Sequence, residues 1–269
     1  MKTGGIAERF RDKSILITGA TGFLGKLLVE KILRVQPEVR KLYLLVRAPD
    51  AIAAEERVLT EVVGNGLFDV LREQYGAGFH SFIKEKIYAL PGDVTHENFG
   101  LESYDILQLS QKVDIIVNGA ATTNFMERYD VALATNTTGV VHLCQFAKQC
   151  DNLKMVLHVS TVYFQAYMIL RYKVPLEMMR AANVLLGGIY TKNYYELNRG
   201  YNILMTVAKL FDDTNLRKLW KATAMDQNDD ASIFNFDPKC INWSSYLVNT
   251  HIPAAIKYAN NQKTKARSA

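Results

Sequence analysis

The 269-residue sequence contains only three cysteines, and their positions exclude the usual cysteine-based metal sites. Cys144, Cys150 and Cys240 form no C-x-x-C pair, which argues against zinc and fits a reducing compartment. The five histidines also lack the spacing of metal ligands. We therefore predict no metal site and interpret the histidines as packing or surface residues: His80, His96, His142, His158 and His251.

Hydrophobic runs long enough to cross a bilayer, about 20 residues, are missing from the sequence. The longest mostly apolar stretches, such as residues 181–190, fall well short of that length. The first residues, MKTGGIAERFRDKS, contain no apolar segment of a signal peptide and are too few for a transit peptide before the first predicted strand. We expect a cytoplasmic protein, with peripheral contact to a membrane as an open alternative.

Charge is spread along the chain and nowhere concentrated. The net charge is +5 at pH 7, without a run of five like charges, so the sequence does not predict a nucleic-acid surface. Hydrophobic residues make up 49% of the chain. That content is enough for one large domain, or for a large and a smaller domain that each have a core.

Short apolar runs alternate with helical patterns across the first 163 residues. The predicted strands cover residues 13–18, 41–47, a run that ends near Pro91, 113–118 and 155–160. A helix is predicted directly after the first strand, where apolar residues recur at helical spacing: Leu24, Leu27, Leu28, Ile32 and Leu33. Further helical segments are predicted over residues 51–85 and 129–149. This alternation predicts an α/β fold with a doubly wound, Rossmann-like, mostly parallel sheet.

Three glycines, Gly19, Gly22 and Gly25, lie in the segment ITGATGFLGK between the first strand and its helix. In a doubly wound sheet this turn lies at the carboxyl edge, where the helix N-terminus offers N–H groups to a pyrophosphate. Gly19 suits the tight turn, Gly22 the close approach of the ligand, and Gly25 the packing of the helix on the sheet. We predict a dinucleotide site, the alternative being glycines that merely make a tight turn.

Further strand ends indicate the same crevice and favour NADPH over NADH. Arg47 ends the second strand, at the position where an acid binds the ribose of NADH and an arginine accommodates the 2′-phosphate of NADPH. Asp93 is a candidate for the adenine amino group, although Gly-Asp is also ordinary turn chemistry. The small residues 118–121 would let the cofactor pass closely. The predicted cofactor-binding residues are Thr18, Gly19, Thr21, Gly22, Phe23, Leu24, Gly25, Arg47, Asp93, Val94, Asn118, Gly119 and Ala120.

On these residues the chain resembles the plant alcohol-forming fatty acyl-CoA reductases of the male-sterility type, which are extended short-chain dehydrogenases. The resemblance lies in KSILITGATGFLGKLLVEKILRVQPEVRKLYLLVRA, DIIVNGAATTNFMERYDVAL, LKMVLHVSTVY, FDDTNLRKL and FNFDPKCINWSSYLVNTHIP. It implies NADPH-dependent reduction of a long-chain acyl-CoA to a primary fatty alcohol, as in wax biosynthesis. It also leaves open an association with the endoplasmic reticulum surface.

The resemblance further implies catalytic residues beyond the fifth strand. Such enzymes use a serine or threonine after that strand, a tyrosine four residues before a lysine, and a supporting asparagine. Ser160 and Thr161 match the hydroxyl position, and Thr161 is the favoured one. Asn136 matches the supporting asparagine; the alternative is that it is merely an exposed residue of a helix. The sequence contains no Tyr-x-x-x-Lys. Tyr167 and Arg171 have that spacing, but an arginine stays protonated and cannot relay a proton.

Relatives of this type carry the tyrosine-lysine helix between HVSTVY and RYKVPLEMMRAANVLLGG, so the chain looks internally shortened, with a smaller second gap at AKLFDD. We predict an NADPH-binding domain over residues 1–165, and a partial substrate region with a mainly helical C-terminal remnant over residues 166–269. Loss of a sixth strand would uncover apolar surface on the far half of the sheet, which the segment 176–210 is a candidate to cover.

Two other functions stay open at this point. The missing tyrosine-lysine pair favours a catalytically dead NADP-binding or interaction protein derived from the reductases. An extended dehydrogenase that acts on a small carbonyl compound or a nucleotide sugar is weakened by the C-terminal segment, which resembles the acyl reductases specifically.

Overall fold

The computed structural model describes residues 10–124, 127–159 and 242–251, together with Lys218, Lys221 and Pro253. The chain divides into two units, Met1–Ser160 and Thr161–Ala269. The domain ranges 1–165 and 166–269 stay predictions, and the predicted helical segment 176–210 lies outside the described residues.

Strands alternate with helices through the first unit. The strands are β1 (Ser14–Thr18), β2 (Lys41–Val46), β3 (Ile87–Pro91), β4 (Ile115–Asn118) and β5 (Met155–His158). The helices are α1 (Phe23–Val35), α2 (Ala51–Arg57), α3 (Asp69–Tyr75), α4 (Phe79–Lys86), α5 (Ser103–Lys112), α6 (Tyr129–Leu133) and α7 (Gly139–Gln149). In the second unit, α8 (Trp243–Tyr246) continues into a π-helical turn, Leu247–His251.

Shorter turns of helix connect several of these elements. π-helical turns follow α2 at Val58–Val63 and join α6 to α7 at Ala134–Thr138. 3₁₀ turns lie at Gly66–Phe68, Gly76–Gly78 and Glu97–Gly100. The region predicted as one helix over residues 129–149 is helical throughout, running from α6 through the π-helical turn into α7.

The five strands form one parallel sheet in the order β3-β2-β1-β4-β5. Parallel neighbours require crossover connections, and here helices supply them. All carboxyl ends consequently meet at one edge of the sheet. The predicted α/β, doubly wound fold is confirmed, and the strand bounds differ from the predicted ones by one or two residues.

Each face of the sheet packs against its own hydrophobic core, because successive side chains of a strand point to opposite faces. One core joins the sheet to α1 and to the helices after β2, through Ile15, Ile17, Leu42, Leu44, Val29, Leu33 and Phe68. The other joins it to α5 and α7, through Leu16, Leu45, Ile116, Ile106, Leu109, Leu143 and Phe146. These cores hold the carboxyl edge at a fixed place relative to the helices.

The strand with the least cover is β5, at the end of the sheet. Met155, Val156 and Leu157 are 43%, 44% and 46% exposed, whereas β1 and β4 are buried throughout. Because neighbouring residues of a strand face opposite ways, both faces of β5 are affected. The exposed strand lies on the half of the sheet where the sequence predicted uncovered apolar surface.

Within the ranges given above, no helix is long and apolar enough to span a membrane. The histidine, cysteine, aspartate and glutamate side chains of that same part of the chain form no group of three that could hold a metal ion.

Candidate cofactor site

Gly19 lies where the turn after β1 touches the loop after β4. Its φ of +72° is in the left-handed region that favours glycine. A Cβ at this position would lie 2.5 Å from Gly119 O and 2.7 Å from Ala120 N, so the two loops are in direct backbone contact. The turn then closes with a hydrogen bond of 3.0 Å from Gly22 N to Gly19 O. A side chain at residue 19 would push these loops apart.

Gly25 and Gly22 differ in what surrounds them. A Cβ on Gly25 would lie 2.2 Å from Gly19 O and 2.7 Å from the Cα of Ala20, so the helix can pack on the turn only without a side chain there. A Cβ on Gly22 would meet only Gly19 O, at 3.2 Å, and its φ of −75° is open to any residue. The packing of the described residues therefore requires glycine at position 25 far more than at position 22.

The N-terminus of α1 opens toward the space in front of Gly22. Gly22 is the N-cap, and no side-chain cap hydrogen bond forms there among the described residues. The first turn follows with Phe23 and Leu24, which are 75% and 55% exposed, and Thr21 lies half-buried in the preceding turn. Uncapped N–H groups at the positive end of a helix dipole attract anions. The open position and the helix end together fit a pyrophosphate, so the residues present fit a dinucleotide.

A row of polar side chains crosses the carboxyl ends of β1, β4 and β5. The Thr18 hydroxyl donates to Asn118 Oδ1 at 2.7 Å and accepts from Ala120 N at 3.1 Å. Asn118 Nδ2 lies 3.1 Å from His158 Nδ1. Thr18 and Asn118 are buried, at 0% and 3% exposure, so these bonds form in a poorly hydrated place. The row ties the loop after β4 to the end of β1.

Two arginines meet at the end of β2. Arg47 is exposed, and Arg57 of α2 donates from Nη1 to Arg47 O at 2.5 Å. Arg57 is held by Glu61 at 2.6 Å, and this hydrogen bond lowers the pKa of Glu61 and raises the pKa of Arg57. Arg57 was not identified from the sequence as a residue of this site. The only signal for it in the sequence is its place in the first helix after β2.

The loop after β3 is fixed by α7. Asp93 Oδ1 accepts the N–H of Thr95 at 2.9 Å, so ordinary turn chemistry occupies one of its two carboxylate oxygens. His142 Nδ1 lies 3.0 Å from Val94 O, and a Cβ on Gly139 would be 3.0 Å from Val94 Cγ2. This close packing of α7 sets the position of Asp93 and Val94 at the carboxyl edge.

Asn136 is the one predicted catalytic residue in the described part of the chain. It is exposed in the π-helical turn between α6 and α7, and both ends of its amide bind one residue. Oδ1 accepts from Thr122 N at 2.9 Å and Nδ2 donates to Thr122 O at 3.2 Å. Asn136 thus lies at an exposed helical position, as the alternative has it, and its amide also holds the loop after β4; its catalytic role stays a prediction. The other candidates, Ser160, Thr161 and Tyr167, lie outside the described residues.

The parallel sheet and the glycine turn at its carboxyl edge define a Rossmann-type dinucleotide-binding protein. An NAD-binding family model described as male sterility protein matches residues 17–210, and a second model with the same description matches residues 171–262. The chain therefore belongs to the male sterility protein family. Its cofactor class is accordingly a nicotinamide dinucleotide.

Curated relatives match somewhat more than half of the chain. The alcohol-forming fatty acyl-CoA reductase of Simmondsia chinensis is 49% identical over 161 residues, which are 60% of this chain and 33% of the relative. Probable fatty acyl-CoA reductase 5 of Arabidopsis thaliana is 52% identical over 155 residues, 57% of this chain and 31% of the relative. The chain thus spans about a third of the length of these relatives.

Matches also extend to an animal protein and to solved structures. Fatty acyl-CoA reductase 1 of Homo sapiens is 38% identical over 158 residues, 59% of this chain and 30% of the relative. The reductase domain of a non-ribosomal peptide synthetase from Mycobacterium tuberculosis is 27% identical, has a TM-score of 0.47 and covers 60% of this chain and 40% of that one.

Proposed function

We propose that this protein is an NADPH-dependent fatty acyl-CoA reductase that converts a long-chain acyl-CoA to a primary fatty alcohol. The observation that carries the proposal is Gly22, exposed at the N-terminus of α1, between two glycines that the fold itself requires. It occurs in a chain that is about 50% identical, over about 60% of its length, to proteins named as fatty acyl-CoA reductases. Because long acyl chains partition into membranes, the proposal includes peripheral association with a membrane such as the endoplasmic reticulum.

Preference for NADPH rests on the charge at the end of β2. Arg47 is exposed there, and Arg57 is fixed beside its carbonyl oxygen by Glu61. Guanidinium groups bind phosphates through pairs of hydrogen bonds, and the residue at this strand end faces the ribose 2′ position in dinucleotide-binding folds. Arg47 therefore favours the extra phosphate of NADPH, and Arg57, whose guanidinium is bound to Glu61 and to Arg47 O, holds the backbone of Arg47 in place.

Replacing Arg47 by glutamate is expected to reverse this preference. A hydrogen bond to a charged group contributes about 1.5–3 kcal/mol, so Arg47→Glu should raise the Kd for NADPH roughly tenfold to a hundredfold. The Kd for NADH should change much less, since NADH has no 2′-phosphate. Titration of nicotinamide fluorescence measures both values. Lys84→Glu on α4 is the control for net charge, and an equal loss of both cofactors in Arg47→Glu would contradict this role.

When bound, one NADPH would supply a hydride to the thioester carbonyl, with CoA leaving as its thiol, and a second NADPH would supply a hydride to the aldehyde so formed. The chain's own residues have to orient the acyl group and stabilise the oxyanion that develops. Thr161, with Ser160 as its neighbour, is the proposed hydrogen-bond donor to that oxygen. Asn136 supports the site indirectly, because it holds Thr122 in the loop that follows β4.

The sequence lacks the residue pair that would donate a proton in the proposed reaction. A tyrosine has an unperturbed pKa of about 10, and a lysine one helical turn away lowers it and joins the relay. The chain has no Tyr-x-x-x-Lys, and general acid catalysis typically contributes about 10²–10⁴ in rate. We therefore expect alcohol formation that is slower than that of the Simmondsia chinensis reductase by about this factor.

The experiment is to incubate the purified chain with NADPH and a series of long-chain acyl-CoAs, and to quantify fatty alcohol by gas chromatography. Alcohol at a rate above that of a Gly22→Val variant supports the proposal. Folded protein that binds NADPH but forms no alcohol or aldehyde would contradict it. That outcome would favour the alternative, an NADP-binding protein that keeps only the cofactor half of the reductases.

A further inference from the structure

Thr18, Asn118 and His158 occupy one register position across three strands. Thr18 is the partner of Asn118 in the pairing of β1 with β4, and Asn118 is the partner of His158 in the pairing of β4 with β5. Paired residues of parallel strands lie on the same face of the sheet. The three side chains therefore form a continuous hydrogen-bonded row at the carboxyl edge.

The Thr18 hydroxyl is both an acceptor and a donor in this row. The Thr18 oxygen accepts the N–H of Ala120, so the single hydroxyl proton is free to point at Asn118 Oδ1. The amide nitrogen of Asn118 consequently faces His158 Nδ1, 3.1 Å away. An amide N–H can only donate, so in this contact the imidazole Nδ1 is the acceptor, in the tautomer that carries its proton on Nε2.

We propose that His158 is a positioning residue for the cofactor site. Its Nδ1 holds the Asn118 amide in one orientation, and the amide in turn holds the Thr18 hydroxyl that binds Ala120 N. Ala120 and Gly119 form the loop that touches Gly19, so His158 sets the spacing between the two loops of the candidate site. This inference rests on the proposed cofactor function.

The chemistry at Asn118 explains why an acceptor is needed at residue 158. Asn118 is 3% exposed, and a buried amide without a partner is unfavourable. Without Nδ1, the amide nitrogen loses this fixed acceptor, and only a mobile water can take its place, so the orientation of the amide toward the Thr18 hydroxyl is no longer held. His158 itself is exposed at the end of the sheet, so its substitution leaves no cavity in the core.

The test compares His158→Ala with His158→Asn in the full chain. Asparagine places Oδ1 near the position of the imidazole Nδ1 and can accept the same bond, whereas alanine cannot. We expect the NADPH Kd, from fluorescence titration, to rise about three- to tenfold in His158→Ala and to stay within about twofold of wild type in His158→Asn. His80→Ala, on α4, is the matched control and should bind as wild type does.

A second readout needs no cofactor. Hydrogen exchange of the Ala120 amide, followed by NMR, should be faster in His158→Ala and return to the wild-type rate in His158→Asn. Unchanged Kd and exchange in His158→Ala, or equal losses in both variants, would overturn the inference. If the wild-type chain fails to bind NADPH, the proposed function fails separately, and the exchange rates still decide the role of His158.

Discussion

A Gly22→Val variant is expected to lose NADPH binding by at least about a hundredfold while it keeps its fold. Two or more charge-assisted hydrogen bonds to a pyrophosphate, each contributing about 1.5–3 kcal/mol, account for that factor. A Cβ on Gly22 would touch only Gly19 O, at 3.2 Å, which a shift of a few tenths of an ångström relieves, and its φ of −75° accommodates valine. The isopropyl group would occupy the position where a phosphate approaches the N-terminus of α1. Fluorescence titration with NADPH and a thermal melt followed by circular dichroism measure the two effects.

The chain offers a matched control for this substitution. Gly78 is the N-cap of α4, as Gly22 is of α1, and a Cβ there would meet nothing within 4 Å. Gly78→Val therefore carries the same change at a helix N-terminus without touching the candidate site, and should bind NADPH normally. Wild-type affinity in Gly22→Val would show that the pyrophosphate lies elsewhere.

The elements of the first unit could be predicted from the sequence because their signals are local. The apolar run of β1, the helical spacing after it and the glycines between them lie within residues 14–35, and they need no distant contact to be recognised. Strand ends predicted in this way assemble at one edge, since parallel strands all end there. The candidate residues Arg47, Asp93 and Asn118 consequently share the carboxyl edge with the glycine turn.

The residues that the sequence did not reveal are defined by contacts between distant segments. His158 meets Asn118 across 40 positions and His142 meets Val94 across 48. Both histidines were interpreted as packing or surface residues, because a lone histidine has no periodicity from which its partner can be read. The register of β4 with β5 supplies that partner for His158. Asn136 was predicted from a resemblance, and only the structure connects its amide to Thr122.

Cofactor binding and proton donation depend on different parts of the chain. The cofactor site is built from the turns after β1 and β4, which are held by backbone contact and by the polar row. The tyrosine-lysine pair that the resemblance implies as the proton donor of the proposed reaction is absent from the sequence. NADPH binding and alcohol formation can therefore be lost independently, and each has to be measured in every variant.

The opposite effect to that of Gly22→Val, a loss of stability, is expected for Gly25→Ala. A Cβ at residue 25 would lie 2.2 Å from Gly19 O and 2.7 Å from the Cα of Ala20, and both are backbone atoms that cannot rotate away. Relief requires α1 to move off the turn, which would also disturb the packing of Val29 and Leu33 on the sheet. Overpacking of this kind costs about 3 kcal/mol, which corresponds to a melting temperature lower by roughly 10 °C.

Gly22→Ala is the control for the loss of stability expected in Gly25→Ala. The same methyl group, three residues earlier, would meet only Gly19 O at 3.2 Å, so its melting temperature should stay close to that of wild type. Thermal melts followed by circular dichroism measure both variants under the same conditions. A melting temperature of Gly25→Ala equal to that of Gly22→Ala would mean that α1 is not seated against Gly19 as the structure has it. A much lower melting temperature of Gly25→Ala would show that the fold requires glycine at residue 25 and not at residue 22, as expected if Gly22 serves cofactor binding.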